Sequence, residues 1–197
     1  MSRLSLLRAS DYQRVRWKND GGWTTEIARD AADAAGDFRW RVSIAEIESD
    51  GPFSLFPGVD RDLLLLSGNG MELDIDDAPP LRLSERFQRA RFAGEAQVGC
   101  RLLAGPTRDF NVMVRREVVR ADVVARPLVG SMVIFPETGV QWLVHVFAGD
   151  AHARSAESEV ELPAGSSLRV DLREPGGARI VLEGSGELVL VKFAAIA

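Results

Sequence analysis

No stretch of this chain places apolar residues at helical spacing for several turns. Short apolar or alternating runs recur instead, separated by Gly, Pro, Asn and Asp, and that pattern restricts the chain to an all-β fold. In Phe38–Ile44, Phe38, Trp40, Val42 and Ile44 point one way, and Arg39, Arg41 and Ser43 point the other. Leu63–Leu66 is an unbroken apolar run, as expected of a strand buried on both faces. Ser67-Gly68-Asn69-Gly70 leads from it to the alternating Met71–Ile75, which predicts a hairpin. Further short strands are expected at Leu81–Leu83, Arg91-Phe92, Gln97–Leu103, Phe110–Val114, Arg120–Arg126, Ser131–Phe135, Gln141–Phe147, Arg169–Leu172, Ala178–Leu182 and Glu187–Phe193. Ser10-Asp11-Tyr12-Gln13 can cap one helical turn, and Asp30–Gly36 reads as a loop. The architecture that follows is a β-sandwich or barrel.

A weak internal repeat adds to this. Leu63–Gly68 matches Leu143–Gly149 in kind, Arg91–Gly94 matches Leu162–Gly165, and each second member lies in the later part of the chain. Two related β halves would produce the pattern, as would chance in a Gly-rich β sequence.

With 46% hydrophobic residues, the 197-residue chain can bury a core. Its net charge of -5 and scattered Arg residues exclude binding to nucleic acid by phosphate neutralisation. Met1–Ala9 shows no sustained apolar region with a cleavage pattern, and no run is long enough for a membrane helix. No membrane partner is expected, and the cytoplasm is the expected location. The single cysteine, Cys100, lies among strand residues and reads as a small buried hydrophobe.

Chemistry concentrates in Trp17–Arg61, which holds three of the four tryptophans among Lys, Asn, Arg, Ser, Glu and closely spaced glycines. That mixture suits a small polar-lined pocket. Lys18 and Asn19, between Trp17 and Gly21-Gly22, can set an ammonium and an amide at its mouth. Arg41 and Ser43 share one strand face, and Arg61 and Arg108 offer guanidinium forks that match a carboxylate. The competing reading for these arginines is ion pairing with Glu26, Asp60 or Asp109. Thr107, Asp109 and Asn111 follow the Gly105-Pro106 turn and can stabilise it. A carboxamide at Asn111, among apolar strand neighbours, nevertheless requires a specific partner. Only two histidines are present, His145 reading as packed in a strand and His152 as solvated, so neither a metal nor another cofactor is expected. No nucleophile elbow or phosphate loop occurs.

These blocks resemble the HutD/Ves family of cupin-like proteins. The matching pieces are Trp17-Lys18-Asn19 with Gly21-Gly22, Thr24 and Glu26; Trp40–Ala45; Gly51-Pro52-Phe53-Ser54 through Phe56-Pro57-Gly58 to Asp60-Arg61; and Asp109–Met113. Asp20 stands where the family's glycine run has Gly. The resemblance implies a cupin-like double-stranded β-helix of two β-barrel halves (bicupin-like), which we divide at 1–118 and 119–197. It also implies a cytoplasmic bacterial protein linked with histidine utilisation, holding a small acidic metabolite such as urocanate or a formylated glutamate derivative. On that reading Trp17, Lys18, Asn19, Glu26, Arg41, Ser43, Ser54, Arg61 and Asn111 form or support the ligand site. The expectation is metal-independent binding with a regulatory role, leaning away from turnover. The alternatives are a metal-free isomerase or hydrolase with Glu26 or Asp109 as base and Lys18 as acid, and a protein-interaction module. A homodimer is compatible with a sandwich that buries its edge strands.

Overall fold

The computed structural model describes residues 2–31, 38–172 and 179–196. Among the described residues the regular structure is all strand apart from one 3₁₀ turn, Ala9–Asp11, where the capping sequence predicts a helical turn. In order, its strands are β1 (Ser2–Leu7), β2 (Gln13–Arg16), β3 (Gly22–Ala31), β4 (Phe38–Ile47), β5 (Gly51–Pro52), β6 (Val59–Ser67), β7 (Met71–Ile75) and β8 (Leu81–Leu83). They continue as β9 (Arg89–Ala93), β10 (Val98–Leu102), β11 (Thr107–Arg115), β12 (Val119–Ile134), β13 (Val140–Arg154), β14 (Glu159–Pro163), β15 (Ser167–Leu172) and β16 (Ile180–Ala195). Asp30 and Ala31 end β3, while the rest of the expected Asp30–Gly36 loop lies outside the described residues, as does Ala178. Among the described residues no helix is long and apolar enough to cross a membrane.

Two compact units result. Tyr12–Val119 forms one, and Met1–Asp11 joins Arg120–Ala197 in the other, because β1 pairs antiparallel with β15. The first eleven residues therefore belong with the C-terminal strands.

The Tyr12–Val119 unit contains a six-stranded sheet, β2-β3-β4-β11-β6-β9, and a four-stranded sheet, β5-β10-β7-β8. They share one core: Ile47, Leu63, Leu65 and Phe92 from the larger sheet meet Met71, Leu73, Leu83, Val98 and Cys100 from the smaller. The two sheets are open at their hydrogen-bonded edges, and packing joins them into a jelly-roll sandwich. The predicted hairpin at Ser67–Gly70 is a correction. β6 pairs with β11 and β9, whereas β7 pairs with β10 and β8, so this turn carries the chain from one sheet to the other.

In the other unit, β1-β15-β13-β16-β12 form one sheet, with β14 also on β13. Its core is Val144, Val146, Ala153, Leu162, Leu168, Val170, Ile180, Leu182 and Leu188 with their neighbours. Here the sequence reading breaks strands that the protein keeps whole. Arg120–Arg126 and Ser131–Ile134 are parts of β12, with Phe135 just past its end, and β16 runs through Gly184 and Gly186. β13 likewise continues past Gly149 with a bulge between Val146 and Ala148. A Cβ on Gly149 would lie 2.0 Å from the Ser185 carbonyl oxygen, and its φ is +76°. This glycine lets two backbones approach within a bent ladder; it does not end the strand. His145 is buried with its Nδ1 2.8 Å from Ser167 Oγ, the packed role its sequence setting predicts.

Candidate functional site

The six-stranded sheet of the Tyr12–Val119 unit sets the site by register alone. On β4, Arg41, Ser43 and Ala45 share a face, and on β11 they stand opposite Met113, Asn111 and Asp109. Arg61 on β6 stands opposite Met113 from the other side. Because residues directly opposite in a ladder share a face, these side chains all point to the interior of the sandwich. There they line a cavity of about 760 Å³, a size that suits a small metabolite.

Burial divides the cavity into a floor and a mouth. Ser43, Arg61, Asp109, Asn111 and Met113 are buried and form the floor. Lys18, Asn19 and Ser54 are exposed on the wall and form the mouth. Of the nine residues predicted from sequence, Trp17, Lys18, Asn19, Arg41, Ser43, Ser54, Arg61 and Asn111 line this one cavity. Glu26 does not. It stands opposite Ser43 on β3, and its carboxylate accepts a hydrogen bond from Arg41 Nε at 2.7 Å. Glu26 therefore holds Arg41 in place from the neighbouring strand. Arg108, the further guanidinium candidate, is exposed and outside the lining. Asp60 is taken by Arg116, with Arg116 Nε 2.9 Å from Asp60 Oδ1.

The mouth is a tight loop. Trp17 N donates to Gly22 O at 3.0 Å, Trp17 Nε1 donates to Thr24 Oγ1 at 2.7 Å, and Asn19 Oδ1 accepts from Gly21 N at 3.1 Å. Thus the indole and the carboxamide oxygen are both partly committed to shaping the loop. Asp20, with φ +57°, occupies the left-handed region that glycine adopts without cost. Gly22 meets a different demand: an added Cβ would lie 2.3 Å from Glu46 O.

On the floor, buried polar atoms lack partners. Arg61 Nε, Asp109 Oδ1 and Asn111 Oδ1 make no hydrogen bond, which native interiors avoid unless something else satisfies the group. Arg61 is surrounded by rings, its guanidinium carbon lying 5.2, 5.8 and 5.0 Å from the centroids of Phe53, Phe56 and Phe92. These faces stabilise the cation without using its N–H donors. Burial still pulls Arg61 down to about 10, against the pull of Asp109, so it stays charged at neutral pH. Burial pushes the Asp109 carboxyl up to about 7, although Arg61 opposes the shift. A donor, an acceptor and a titratable carboxyl thus face one space, and they can grip a small molecule with both anionic and hydrogen-bonding groups.

Sequence reasoning left Asp109 out of the ligand site, together with Phe53, Phe56 and Thr24. Its signal was present: Asp109 is two residues from Asn111 on the same strand, hence on the same face. Phe53 and Phe56 bracket Ser54 in the motif already singled out. Among the described residues no group of three or more His, Cys, Asp or Glu is placed to hold a metal ion.

A sandwich of this topology with a polar cavity in one unit defines a cupin-like all-β protein. The E. coli pirin YhhW in complex with nickel(II) shares the fold at TM-score 0.69 and 11% identity, covering 99% of this chain and 100% of that one. More specifically, the chain belongs to the HutD family, whose model matches residues 9–190. It is 48% identical over 121 residues to an uncharacterised 21.2 kDa protein in the hutC 3′ region of Pseudomonas putida. That alignment covers 61% of this chain and 63% of the relative, so the chain spans less than two thirds of it. A conserved protein of unknown function from Pseudomonas aeruginosa PAO1 matches with TM-score 0.88 at 31% identity, covering 98% and 99% of the two chains. HutD from Pseudomonas fluorescens SBW25, solved in a formate condition, matches with TM-score 0.81 at 32% identity, covering 99% and 100%.

Proposed function

We propose that the protein binds a small carboxylate metabolite in the Arg61–Asp109–Asn111 cavity, without a metal ion, and acts through that binding in the regulation of histidine utilisation. Membership of the HutD family and the hutC-region relative support a role related to histidine utilisation. The reading of the site rests on one observation: three buried polar atoms at the cavity floor have no partner within the protein. Arg61 presents a charged donor to a carboxylate, and the Asn111 carboxamide in the same lining can hydrogen-bond to an N–H or O–H on that molecule. A ligand carboxylate and N–H meeting the Arg61 guanidinium and the Asn111 carboxamide would supply partners to lining side chains that the protein itself leaves short of them. Urocanate and N-formylglutamate carry both a carboxylate and an N–H, and formate is the smallest carboxylate probe.

The test is a thermal-shift screen of metal-free protein against these three compounds, with histidine and glutamate alongside. A ligand at ~100 times its Kd adds about 2.7 kcal/mol. A selective shift that disappears in Arg61→Ala and falls in Arg41→Ala supports the reading; no shift with any carboxylate overturns it. Turnover remains a second reading because Asp109 titrates near neutrality inside the cavity, as a general base would. Its base would be Asp109, since Glu26 is held by Arg41 outside the lining. Product formation abolished by Asp109→Asn with binding retained would favour it.

A further inference from the structure

We propose that Asp109 enters the ligand complex as the neutral acid, so that a carboxylate binds this cavity together with one proton. This rests on the carboxylate-binding reading above and adds a role for a residue outside the predicted ligand set. The argument is a count of charges. Arg61 from β6 is the buried cation of the floor, and Asp109 from β11 is the buried anion set against it. Arg41 from β4 is paired with Glu26 from β3, at 2.7 Å. At the mouth, Arg16 from β2 is engaged by Glu48 and Asp20, and Lys18 is exposed. Cys100 from β10 also feels Asp109, and its thiol is held neutral, pushed up to about 12 by burial first and then by Asp109 and Asp50. An ionised Asp109 thus already balances Arg61. A ligand carboxylate reaching the floor would set two buried anions against one guanidinium, and like charges in one desolvated space do not both stay ionised.

A proton on Asp109 resolves this. It frees the Arg61 guanidinium for the ligand, and it changes the Asp109 carboxyl from a competing acceptor into an O–H donor. The Asp109 carboxyl belongs to the cavity lining, and in its neutral form it can donate to the incoming carboxylate. The starting point near 7 means the proton is taken up within the neutral range.

Isothermal titration of the full chain tests this, with N-formyl-L-glutamate and formate as probes, which carry no group titrating near neutrality. Each titration is run in two buffers of different ionisation enthalpy, from about pH 6 to about pH 8.5. The expected result is uptake of about one proton at the alkaline end and a Kd that rises about tenfold per pH unit above neutrality. Asp109→Asn should bind with a Kd that no longer follows pH and with a heat that is the same in both buffers. Binding by the wild type without buffer dependence, or unchanged proton uptake in Asp109→Asn, overturns the proposal and leaves the carboxylate reading intact. No binding of either probe at any pH overturns that reading, and the proposal with it. If Asp109→Asn does not fold, the wild-type buffer pair decides whether a proton is taken up, and Asp109→Ser tests its location.

Discussion

Arg61 and Asp109 face the same interior space from adjacent strands of one sheet, and each keeps a buried polar atom without a hydrogen-bond partner. Burial opposes charge on both groups, and their mutual attraction offsets only part of it. The pair is a stability cost that the fold carries at its cavity floor, as functional sites often do.

That cost has a pH signature. The Asp109 carboxyl is pushed up to about 7 in the folded protein from an ordinary 3.8, so the native state holds this proton more tightly than the unfolded chain. Its favourable contribution is present below pH 3.8 and is lost as pH rises through about 7. The difference in unfolding free energy between Asp109→Asn and wild type should therefore move in favour of the variant between those limits. The change should be on the order of 2–4 kcal/mol. Urea denaturation of both proteins across this range measures it; a pH-independent difference refutes it.

Asn111 gives a second handle on the same trade. Its side chain projects among buried neighbours with Oδ1 unpaired, opposite Ser43. Asn111→Leu removes the unsatisfied acceptor and adds apolar contact, so the unliganded protein should gain about 1 kcal/mol. The same variant should lose the carboxylate-induced melting shift. A variant that is both less stable and still responsive would assign Asn111 to the framework of the sheet.

The all-β class was legible because period-2 alternation survives in single strands, and Arg41 and Ser43 could be placed on one face by parity alone. Which strands pair is a different question. Ser67–Gly70 has the chemistry of a tight turn whether it closes a hairpin or passes between sheets, and only the core partners of Leu63 and Leu73 decide. The expected strand stops at Phe147, short of Gly149, because a sequence cannot show the Ser185 carbonyl that excludes a side chain at that glycine. The sequence expectation starts this strand at Phe110 and keeps Asp109 beside the Gly105-Pro106 turn, because nothing local marks where a strand begins. β11 starts at Thr107, which turns Asp109 inward beside Asn111. The motif groups Glu26 with residues that form or support the ligand site, and a sequence cannot show that its carboxylate accepts from the lining residue Arg41.

The mouth loop makes a prediction about Asp20. Its backbone lies in the left-handed region, where a Cβ is unfavourable by ~1–2 kcal/mol although Asp tolerates it better than most residues. Its carbonyl accepts from Arg16 Nη2, so the loop geometry is held from outside. Asp20→Gly should be as stable as wild type or slightly more so, and Asp20→Ala should lose about 1 kcal/mol. Melting curves of the three proteins give the order directly. Asp20→Ala as stable as Asp20→Gly would mean the left-handed turn is not kept.

Cys100 reports on the whole sandwich. Its Sγ is buried in the core shared by the two sheets, 3.8 Å from Met71 Sδ, and burial with the nearby carboxylates Asp109 and Asp50 pushes the thiol up to about 12. The thiolate is the reactive form, so a thiol reagent at mildly alkaline pH needs an opening of the core to react. Labelling of the native protein should therefore be slow and should accelerate with urea in parallel with global unfolding. Ligand that binds the cavity should slow it further, by the factor through which binding stabilises the folded state. Fast labelling that ignores both urea and ligand would show that the β7–β10 face of the core opens locally, without unfolding the cavity behind it.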